Sequence, residues 1–223
     1  MKLNSELRAQ ARQELAGNWT QPVLATLVYF FVAVALGLTV GLIPFVGSII
    51  ANLFGVMPLA YGLMLIFLAF IRGEKAFSMS KLFDGFQDYG RTLTIVLLTA
   101  AYTFLWMLLF IVPGIIKSYS YSMTYYITKD KPELSTEEAI NESMRLMEGN
   151  KMRLFLLDLS FIGWVLLSFL TCCIGLLWLI PYAQTARACF YEDLIANDTQ
   201  KAEPAANDAQ NEEPVAKLRI VRP

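Results

Sequence analysis

The stretch FIVPGIIKSYSYSMTYYITKD, residues 110–130, lies inside a long apolar part of the chain and decides how many helices the chain forms. Within residues 92–128 the only charged residue is Lys117. A single helix of that length would extend about 55 Å, whereas the hydrocarbon core of a membrane is about 30 Å thick. Pro113 lacks an amide proton and clashes with the preceding turn, so a kink or stop is expected near Val112.

This stretch has two interpretations. In the first, one membrane-spanning helix is followed by a segment rich in Tyr and Ser that lies outside the membrane. In the second, the chain turns near Pro113, and residues 114–127 return through the membrane as a short helix. Because that return helix is short, a tilted or partly re-entrant element remains an alternative within the second interpretation.

The rest of the chain has the composition of an integral membrane protein. Hydrophobic residues make up 56% of it and charged residues only 17%. Uncharged runs cover residues 15–71, 92–116 and 159–186, and each is longer than the roughly 20 apolar residues that cross a bilayer. Turn-forming residues near Pro44 and in residues 171–175 divide the first and last runs. The predicted helices there cover residues 21–42, 53–71, 152–170 and 174–191.

The distribution of positive charge favours the hairpin interpretation of residues 110–130. Lys and Arg collect in cytoplasmic loops. With a hairpin at Pro113, all of the 18 Lys and Arg residues except Lys117 fall on one side of the membrane. The predicted fold is therefore all-α. It is a polytopic membrane protein with about six transmembrane helices in three hairpins, cytoplasmic amphipathic helices, and both termini in the cytoplasm.

Three amphipathic helices are predicted on the cytoplasmic side, at residues 1–17, 78–90 and 135–149. Each precedes a hairpin and ends near a glycine, and the strings AGNW and EGNK match best, which indicates a weak threefold repeat. In the third helix Ser135 and Glu138 have the spacing of a capping box. Residues 1–193 form the integral membrane domain. Residues 194–223 are rich in Ala, Asn, Glu and Pro, so a disordered cytoplasmic tail is predicted.

Several strings resemble a family of bacterial integral membrane proteins, the domain of unknown function 975. They are ELRAQARQELAGNWTQPVLATLVYF near the N-terminus, then FIVPGIIKSYSYSMTYYI, LSTEEAINESMRLMEGNKMRLF, LSFIGWVLL and GLLWLIPYAQTARACFYEDL. The resemblance covers nearly all of the chain up to about residue 194. It implies a bacterial inner-membrane location and several helices. It brings no established activity, substrate or cofactor, so no functional residue is carried over from it.

Polar residues within the predicted return helix are the first candidates for a binding site, because burying a charge in a membrane is costly. At helical spacing Lys117 aligns with Tyr121 and Tyr125. A neighbouring stripe contains Ser118, Ser122 and Tyr126. Such a face could receive an anionic head group or solute, with Lys117 as the counter-charge. The alternative is that Lys117 snorkels to the outer surface and the tyrosines sit at interfaces.

Two further candidates lie in the last two predicted membrane helices. Asp158 lies one to two turns inside its helix and could pair with Arg153 at the inner boundary or with Arg187 on the neighbouring helix. A structural ion pair is the role that we expect for Asp158, since an unpaired carboxylate in an apolar helix is costly. We also include Arg187 and Asp158 in the candidate binding set.

The sequence lacks the residues of common catalytic and metal centres. It has no histidine, and its three cysteines, Cys172, Cys173 and Cys189, do not form a C-x-x-C pattern. The nucleophile-elbow, zincin, P-loop and dinucleotide-binding motifs are absent from the sequence. No cofactor or metal is expected, and the absence of a basic stripe argues against nucleic acid as a partner.

The sequence therefore predicts an inner-membrane protein that is not an enzyme and that organises the membrane or interacts with lipid. One alternative is a small transporter with a polar path near Lys117 and the Tyr/Ser helix. A further alternative is a membrane enzyme that acts on lipids. The expected partners are the lipid bilayer, a lipid head group or small solute, and either a second copy of the chain or another membrane protein.

Overall fold

The computed structural model describes residues 1–40, 47, 51–74, 79–170 and 174–219, and over these residues the chain is helical without strands. A π-helical turn, Asn52–Val56, precedes α3, and a 3-10 turn, Asp84–Phe86, follows α4. The turns predicted near Pro44 and at residues 171–173, with Cys172 and Cys173, lie outside the described residues. The helices are α1 (Asn4–Leu15), α2 (Thr20–Val40), α3 (Met57–Ile71), α4 (Met79–Leu82), α5 (Tyr89–Leu109), α6 (Ile111–Tyr121), α7 (Thr124–Asp130), α8 (Thr136–Leu146), α9 (Lys151–Leu170) and α10 (Leu176–Arg219).

Four helices among the described residues are long and apolar enough to cross a membrane. They are parts of α2, α3, α5 and α9, over Thr20–Leu38, Phe54–Ile71, Tyr89–Leu108 and Lys151–Phe169. The predicted return helix and the predicted last helix are not in this set. The predicted return helix is divided into α6 and α7. The predicted last helix corresponds to the start of α10, which contains polar as well as apolar residues. Four apolar helices of membrane-spanning length are thus present: two come from the first predicted helix pair, and the second and third pairs each contribute one.

The centre of the bundle is α3. In its apolar stretch 56% of the residues are buried, compared with 17% in α2 and in α5 and 22% in α9. A helix that is apolar all round is typical of a buried position. The other three turn apolar side chains such as Phe31, Leu108 and Leu166 outward. Those outward faces are what lipid would contact if the helices cross a bilayer.

A second core surrounds the middle of α10. Leu7 and Ala11 of α1, Met147 beyond α8, and Leu157 of α9 pack against Phe190 and its neighbours, and all of them are fully buried. The amphipathic pattern of α1 is therefore used for packing against the bundle. Leu3, which lies within the predicted amphipathic segment 1–17, is largely exposed, and the buried stripe of α1 begins at Leu7.

The chain reverses direction at Phe110, which is the single extended residue between α5 and α6. Gly114 of α6 then packs against Met107 of α5. A Cβ atom at this glycine would lie 2.8 Å from the Met107 Cα atom, so only glycine lets the two helices approach this closely. The reversal lies where Pro113 predicts an interruption, although that proline is inside the first turn of α6, a position that tolerates it.

The return element is interrupted between α6 and α7, and the side chain of Ser143 on α8 bridges the interruption. The Ser143 hydroxyl donates to the carbonyl of Ser120 (2.7 Å) and accepts the backbone N–H of Met123 (3.2 Å). All three groups are buried. Backbone groups freed by a broken helix must find partners when water is excluded, and Ser143 supplies both of them.

The charged segments meet at one end of the bundle. Arg72 after α3 binds Asp130 (2.6 Å) at the end of α7 and Glu192 (2.7 Å) on α10. Arg153 at the start of α9 binds Asp193 (2.9 Å) on α10. Burial alone would raise the pKa of Asp130, but hydrogen bonds from Arg72 and Tyr191 lower it below its ordinary value. The segments that positive charge assigns to one side of the membrane are therefore in contact with each other.

The three predicted amphipathic segments have two different outcomes in the structure: two form helices, and residues 78–90 do not form a single helix. Helix α8 begins with the capping box, in which the Ser135 hydroxyl accepts from the Glu138 N–H and the Glu138 carboxylate accepts from the Ser135 N–H. Gly17 and Gly149, from the strings AGNW and EGNK, both have positive φ angles, of 77° and 74°. The repeat therefore holds locally for α1 and α8, because both helices end at a glycine in the left-handed conformation.

Residues 78–90 do not form the single amphipathic helix that periodicity predicts. They form α4 and the 3-10 turn, and Gly90 lies inside α5 instead of ending a helix. The reason is close packing on α3. Gly62 leaves no room for a side chain beside the carbonyl of Leu82, and Gly85 is equally close to the carbonyl of Pro58. The segment therefore follows the surface of α3 at these two contacts.

Helix α10 continues past residue 194, where composition predicts the start of a disordered tail. Leu194 is buried, and Asp198 forms an ion pair with Arg145 of α8 (2.6 Å). These residues belong to the packed part of the protein, because their contacts come from elements distant in sequence. The structure describes α10 as helical to Arg219.

Candidate functional site

An ion pair lies between α9 and α10, inside the apolar part of α9. Arg187 donates to both carboxylate oxygens of Asp158, at 2.9 and 2.8 Å, in a two-pronged arrangement. Tyr119 of α6 donates its hydroxyl to the same carboxylate at 3.2 Å. Of the two partners that the sequence allows for Asp158, the structure has Arg187. Arg153 is engaged elsewhere, with Asp193.

A cavity of about 280 Å³ opens beside this ion pair, and we call it the polar cavity. Its walls come from α3, α6, α7, α9 and α10, so no two neighbouring helices could form it alone. Four of the candidate residues from the sequence, namely Ser118, Ser122, Asp158 and Arg187, line it together. The remaining lining residues are Met64, Tyr119, Met123, Tyr126 and Leu154.

Tyr126 is the least satisfied group in the polar cavity. Its side chain is completely buried, and its ring stacks on that of Tyr191 at 4.8 Å between centroids. Its hydroxyl has no hydrogen-bond partner within the described part of the chain. By contrast, the hydroxyls of Ser118 and Ser122 donate to carbonyls of their own helix, at 2.7 and 2.8 Å. Of the four hydroxyl groups that line the cavity, that of Tyr126 is therefore the one without a partner among the described residues.

The charge of the polar cavity is balanced within the protein. The Asp158 carboxylate accepts from three donors, and the guanidinium of Arg187 has two of its N–H groups directed at that carboxylate. A charge pair with this geometry leaves no net charge to attract a fully ionised solute. The site is suited to a neutral hydrogen-bonding molecule or to a purely structural role.

Lys117, Tyr121 and Tyr125 lie away from the polar cavity. The Lys117 ammonium lies 5.1 Å from the ring centre of Trp106, at cation–π distance, and 3.8 Å from the sulphur of Met144. Tyr121 is buried, and its ring lies 6.2 Å from that of Tyr102 on α5. The ring of Tyr125 lies 5.5 Å from that of Tyr61 on α3. The structure thus separates the two stripes of the return element. Ser118, Ser122 and Tyr126 line the polar cavity, whereas the stripe of Lys117 packs against α3 and α5.

A second concave site lies between α9, α10 and α1, and we call it the α9–α10 groove. It has a volume of about 490 Å³, which is within the usual range for ligand pockets. Its wall is mainly aromatic and aliphatic, with Trp164 and Leu167 from α9 and Trp178 and Leu179 from α10. Trp19, which follows α1 in the chain and belongs to a residue type common at membrane interfaces, also lines it.

Two arginines of α1 lie at one end of this groove. Arg8 and Arg12 are one helical turn apart, so they share a face of α1. Tyr182 of α10 sits against both of them. Its hydroxyl donates to the backbone carbonyl of Arg8 (3.3 Å), and the guanidinium carbon of Arg12 lies 6.0 Å from its ring centre. The Nε atom of Arg8 is buried and has no partner among the described residues.

Sequence reasoning missed the α9–α10 groove and the part that Tyr119 plays in the polar cavity. Both depend on contacts between elements far apart in the chain, such as Tyr182 with Arg8 and Tyr119 with Asp158. A signal was present for the groove. Three of the chain's four tryptophans, Trp19, Trp164 and Trp178, line it, and two arginines follow each other at helical spacing in α1.

The four apolar helices of this all-helical chain are compatible with a membrane protein, and α-helical membrane proteins are the class that the fold supports. The model of the family "Protein of unknown function (DUF975)" matches residues 1–117 and 108–198, so the chain belongs to that family. This confirms the resemblance seen in the sequence. No curated protein matches the chain, and no solved structure matches it either.

Proposed function

We propose that this protein is an integral protein of the bacterial inner membrane that binds a phospholipid in the α9–α10 groove and so takes part in organising the membrane. The observation that carries the proposal is the combination of an aromatic, apolar wall with two arginines at one end of the same groove. A phospholipid has the matching division into acyl chains and a charged head group.

The proposal includes a topology of six membrane-crossing elements in three hairpins with both termini in the cytoplasm. Supporting it, Phe110 lies at a reversal of the chain, and the ion pairs of Arg72 and Arg153 join the charged segments at one end of the bundle. Since Lys and Arg collect in the cytoplasm, that end is assigned to the cytoplasmic side.

Thiol labelling in intact cells tests the topology. In a variant with its three cysteines replaced by serine, Phe110→Cys and Lys129→Cys are compared with a reagent that does not cross the inner membrane. Phe110 is largely exposed at the reversal, and Lys129 is exposed near the end of α7. We expect labelling of Phe110→Cys alone. Labelling of Lys129→Cys from outside would contradict the three-hairpin topology.

Thermal stabilisation by added lipid tests the function. A ligand that binds only the folded protein raises its Tm. We expect mixed phospholipids added to the detergent-purified protein to raise Tm, and Trp164→Ala with Trp178→Ala to lose most of that rise. Trp106→Ala, at the side chain beside Lys117, is the matched control and should keep it. An equal rise in all three proteins would assign the effect to the general lipid surface and contradict a groove site.

A second candidate function is passage of a small neutral solute through the polar cavity. The observation that favours it is the unpartnered hydroxyl of Tyr126, completely buried in a cavity next to the interrupted return element. Solute sites of transporters are often formed at broken helices. We rank this candidate second because Asp158 and Arg187 bind each other and leave no net charge for a solute.

Stopped-flow light scattering of proteoliposomes in a glycerol gradient tests the second candidate. If the polar cavity is a path, wild-type protein equilibrates glycerol faster than protein-free liposomes do, and Tyr126→Phe removes the difference. Tyr125→Phe, at a ring that packs on Tyr61 away from the cavity, should keep the wild-type rate. Equal rates with and without protein would remove this candidate.

A further inference from the structure

We propose that the α9–α10 groove selects anionic phospholipids over zwitterionic ones, because Arg8 and Arg12 bind the phosphate and have no acidic partner in the groove. The inference rests on the proposed function, since it names the head-group class that the same groove takes. The inference goes beyond the proposed function because it assigns the selectivity for a head group to two residues of α1.

The first argument is the unsatisfied donor of Arg8. Its Nε atom is buried, and no described residue accepts a hydrogen bond from it. A guanidinium donor without an acceptor is costly, so Arg8, which lines the groove, gains stability if its side chain turns towards an oxygen atom of a ligand there. A phosphate oxygen is the acceptor that the planar fork of arginine fits best.

The second argument is that Arg8 and Arg12 are arranged to act together. They are four residues apart on α1, and Tyr182 contacts both through its hydroxyl and its ring. This contact holds the backbone of α1 against α10 and places both guanidinium groups at the same end of the groove. Two donors at one end and an apolar wall beyond them match a phosphate attached to acyl chains.

The third argument is charge. The described lining residues of the groove include two arginines and no carboxylate. Helix α1 has two acidic residues: the carboxylate of Glu6 is engaged at the helix start, where it accepts the N–H of Leu3 at 2.6 Å, and Glu14 is not among the lining residues of the groove. A zwitterionic head group adds a cation that this lining does not balance, whereas an anionic head group leaves the attraction to both arginines intact.

Fluorescence quenching by brominated lipid reports binding at the groove directly, because three of the four tryptophans line it. Trp106→Phe is used as the background, so that the remaining emission comes from Trp19, Trp164 and Trp178. The protein is reconstituted in phosphatidylcholine vesicles with increasing brominated phosphatidylglycerol, and in the reverse pair with brominated phosphatidylcholine. The two series give the relative binding constant of the anionic lipid at the groove.

We expect the anionic lipid to bind about tenfold more tightly, since each arginine near an anionic surface contributes attraction of its own. Arg8→Gln with Arg12→Gln should bring the ratio close to one. Arg8→Lys with Arg12→Lys keeps the positive charge but removes the planar guanidinium groups, so the ratio of the two binding constants should be intermediate. Lys129→Gln with Lys151→Gln removes the same charge away from the groove and should keep the tenfold preference.

Three results would overturn the inference: a ratio near one in the background protein, a tenfold preference that survives in Arg8→Gln with Arg12→Gln, or an equal loss in the Lys129→Gln with Lys151→Gln control. The thermal test of the proposed function separates the two proposals. Lipid stabilisation that depends on Trp164 and Trp178, together with a ratio near one, would leave a groove without head-group selectivity. Loss of both effects would reject the groove as a lipid site.

Discussion

The polar cavity and the α9–α10 groove share the helices α9 and α10 but satisfy their charges in opposite ways. In the polar cavity Arg187 is bound to Asp158 by two hydrogen bonds, and Tyr119 adds a third donor to the same carboxylate. In the groove Arg8 has a buried Nε atom without a partner. The comparison teaches that two charged sites on the same pair of helices differ in the hydrogen-bonding capacity that remains, and that the sequence positions of the charges do not reveal this difference.

The strongest test of the comparison removes one member of the closed pair. Asp158→Asn leaves the charge of Arg187 uncompensated inside the bundle. The free energy of unfolding should fall by about 3 kcal/mol, which lowers Tm by roughly 10 °C. This value is near the lower end for buried ion pairs, because both side chains are partly exposed. Unfolding is followed in detergent with a thiol-reactive dye. Cys189 is a buried free thiol that reacts only after opening, once Cys172 and Cys173 are replaced by serine.

The matched control for this variant removes both charges. Asp158→Asn with Arg187→Gln should recover a large part of the lost stability, because no unpaired charge remains. Arg8→Gln in the groove, where no internal pair is broken, should leave Tm in lipid-free detergent close to that of wild type. A single Asp158→Asn variant as stable as wild type would mean that the ion pair does not hold α9 and α10 together.

A second test concerns the wall that α6 contributes to the polar cavity. Gly114→Leu forces a side chain into the contact with Met107, where a Cβ atom already comes within 2.8 Å of the Cα atom. We expect a loss of about 2 kcal/mol from this overpacking. Gly163→Leu on α9, where a Cβ atom meets nothing within 4 Å, is the control and should be close to neutral. Equal Tm values for the two variants would contradict the close reversal of α5 and α6.

A third test concerns the interruption of the return element. Ser143→Ala removes the hydroxyl that bridges the carbonyl of Ser120 and the N–H of Met123, and leaves both buried groups unpaired. The expected loss is about 1.5 kcal/mol, measured as a change in Tm. Ser160→Ala removes a hydroxyl that donates only to its own helix, at the carbonyl of Leu157, and should cost much less. If Ser160→Ala costs as much, the bridging role of Ser143 is contradicted.

The smallest effect is expected from acidifying the charged end of the bundle. Hydrogen bonds from Arg145 and Lys131 lower the pKa of Glu142 from 4.5 to about 2. A lowered pKa contributes stability above the unfolded value, and this contribution is lost as pH falls from about 4.5 towards 2. Since Arg145 is half exposed, the effect should stay below about 1 kcal/mol.

Tm measured across this pH range checks the assignment to Glu142. In Glu142→Gln the decline of Tm between pH 4.5 and pH 2 should be shallower than in wild type, because one of the titrating carboxylates is gone. Glu148→Gln is the control: it is an exposed carboxylate just beyond α8 and should show the wild-type decline. A decline that is the same in all three proteins would show that Glu142 is not held ionised by its neighbours.

Long apolar runs made most of the helices predictable. The range predicted for α9, 152–170, differs from Lys151–Leu170 by one residue at its start, and the interruption at Pro113 predicted the reversal at Phe110 within three residues. These features depend on local chemistry: the length of an uncharged run and the missing amide of proline. The same local reasoning failed at residues 78–90, because contacts with Gly62 on α3 override the periodicity there.

The candidate site was predictable only in part, for a related reason. Ser118, Ser122, Asp158 and Arg187 stand out as polar residues in apolar runs, and the structure brings them to one cavity. Lys117 stands out for the same reason, yet it lies beside Trp106. Which polar residue faces which neighbour depends on how the helices rotate and pack. For Arg8 it depends on α1 docking against α10, a contact between the two ends of the chain.

Native mass spectrometry of the purified protein in mild detergent compares the two sites most directly. Four proteins are measured: wild type, Arg8→Gln with Arg12→Gln, Asp158→Asn with Arg187→Gln, and Lys117→Ala. The groove account predicts a bound anionic phospholipid in wild type that is retained in the Asp158/Arg187 and Lys117 variants. In the Arg8/Arg12 variant the affinity for the anionic lipid falls about tenfold, so its signal should be strongly reduced. A lipid that stays bound without Arg8 and Arg12, but is lost with the Asp158/Arg187 pair or with Lys117, would contradict the account.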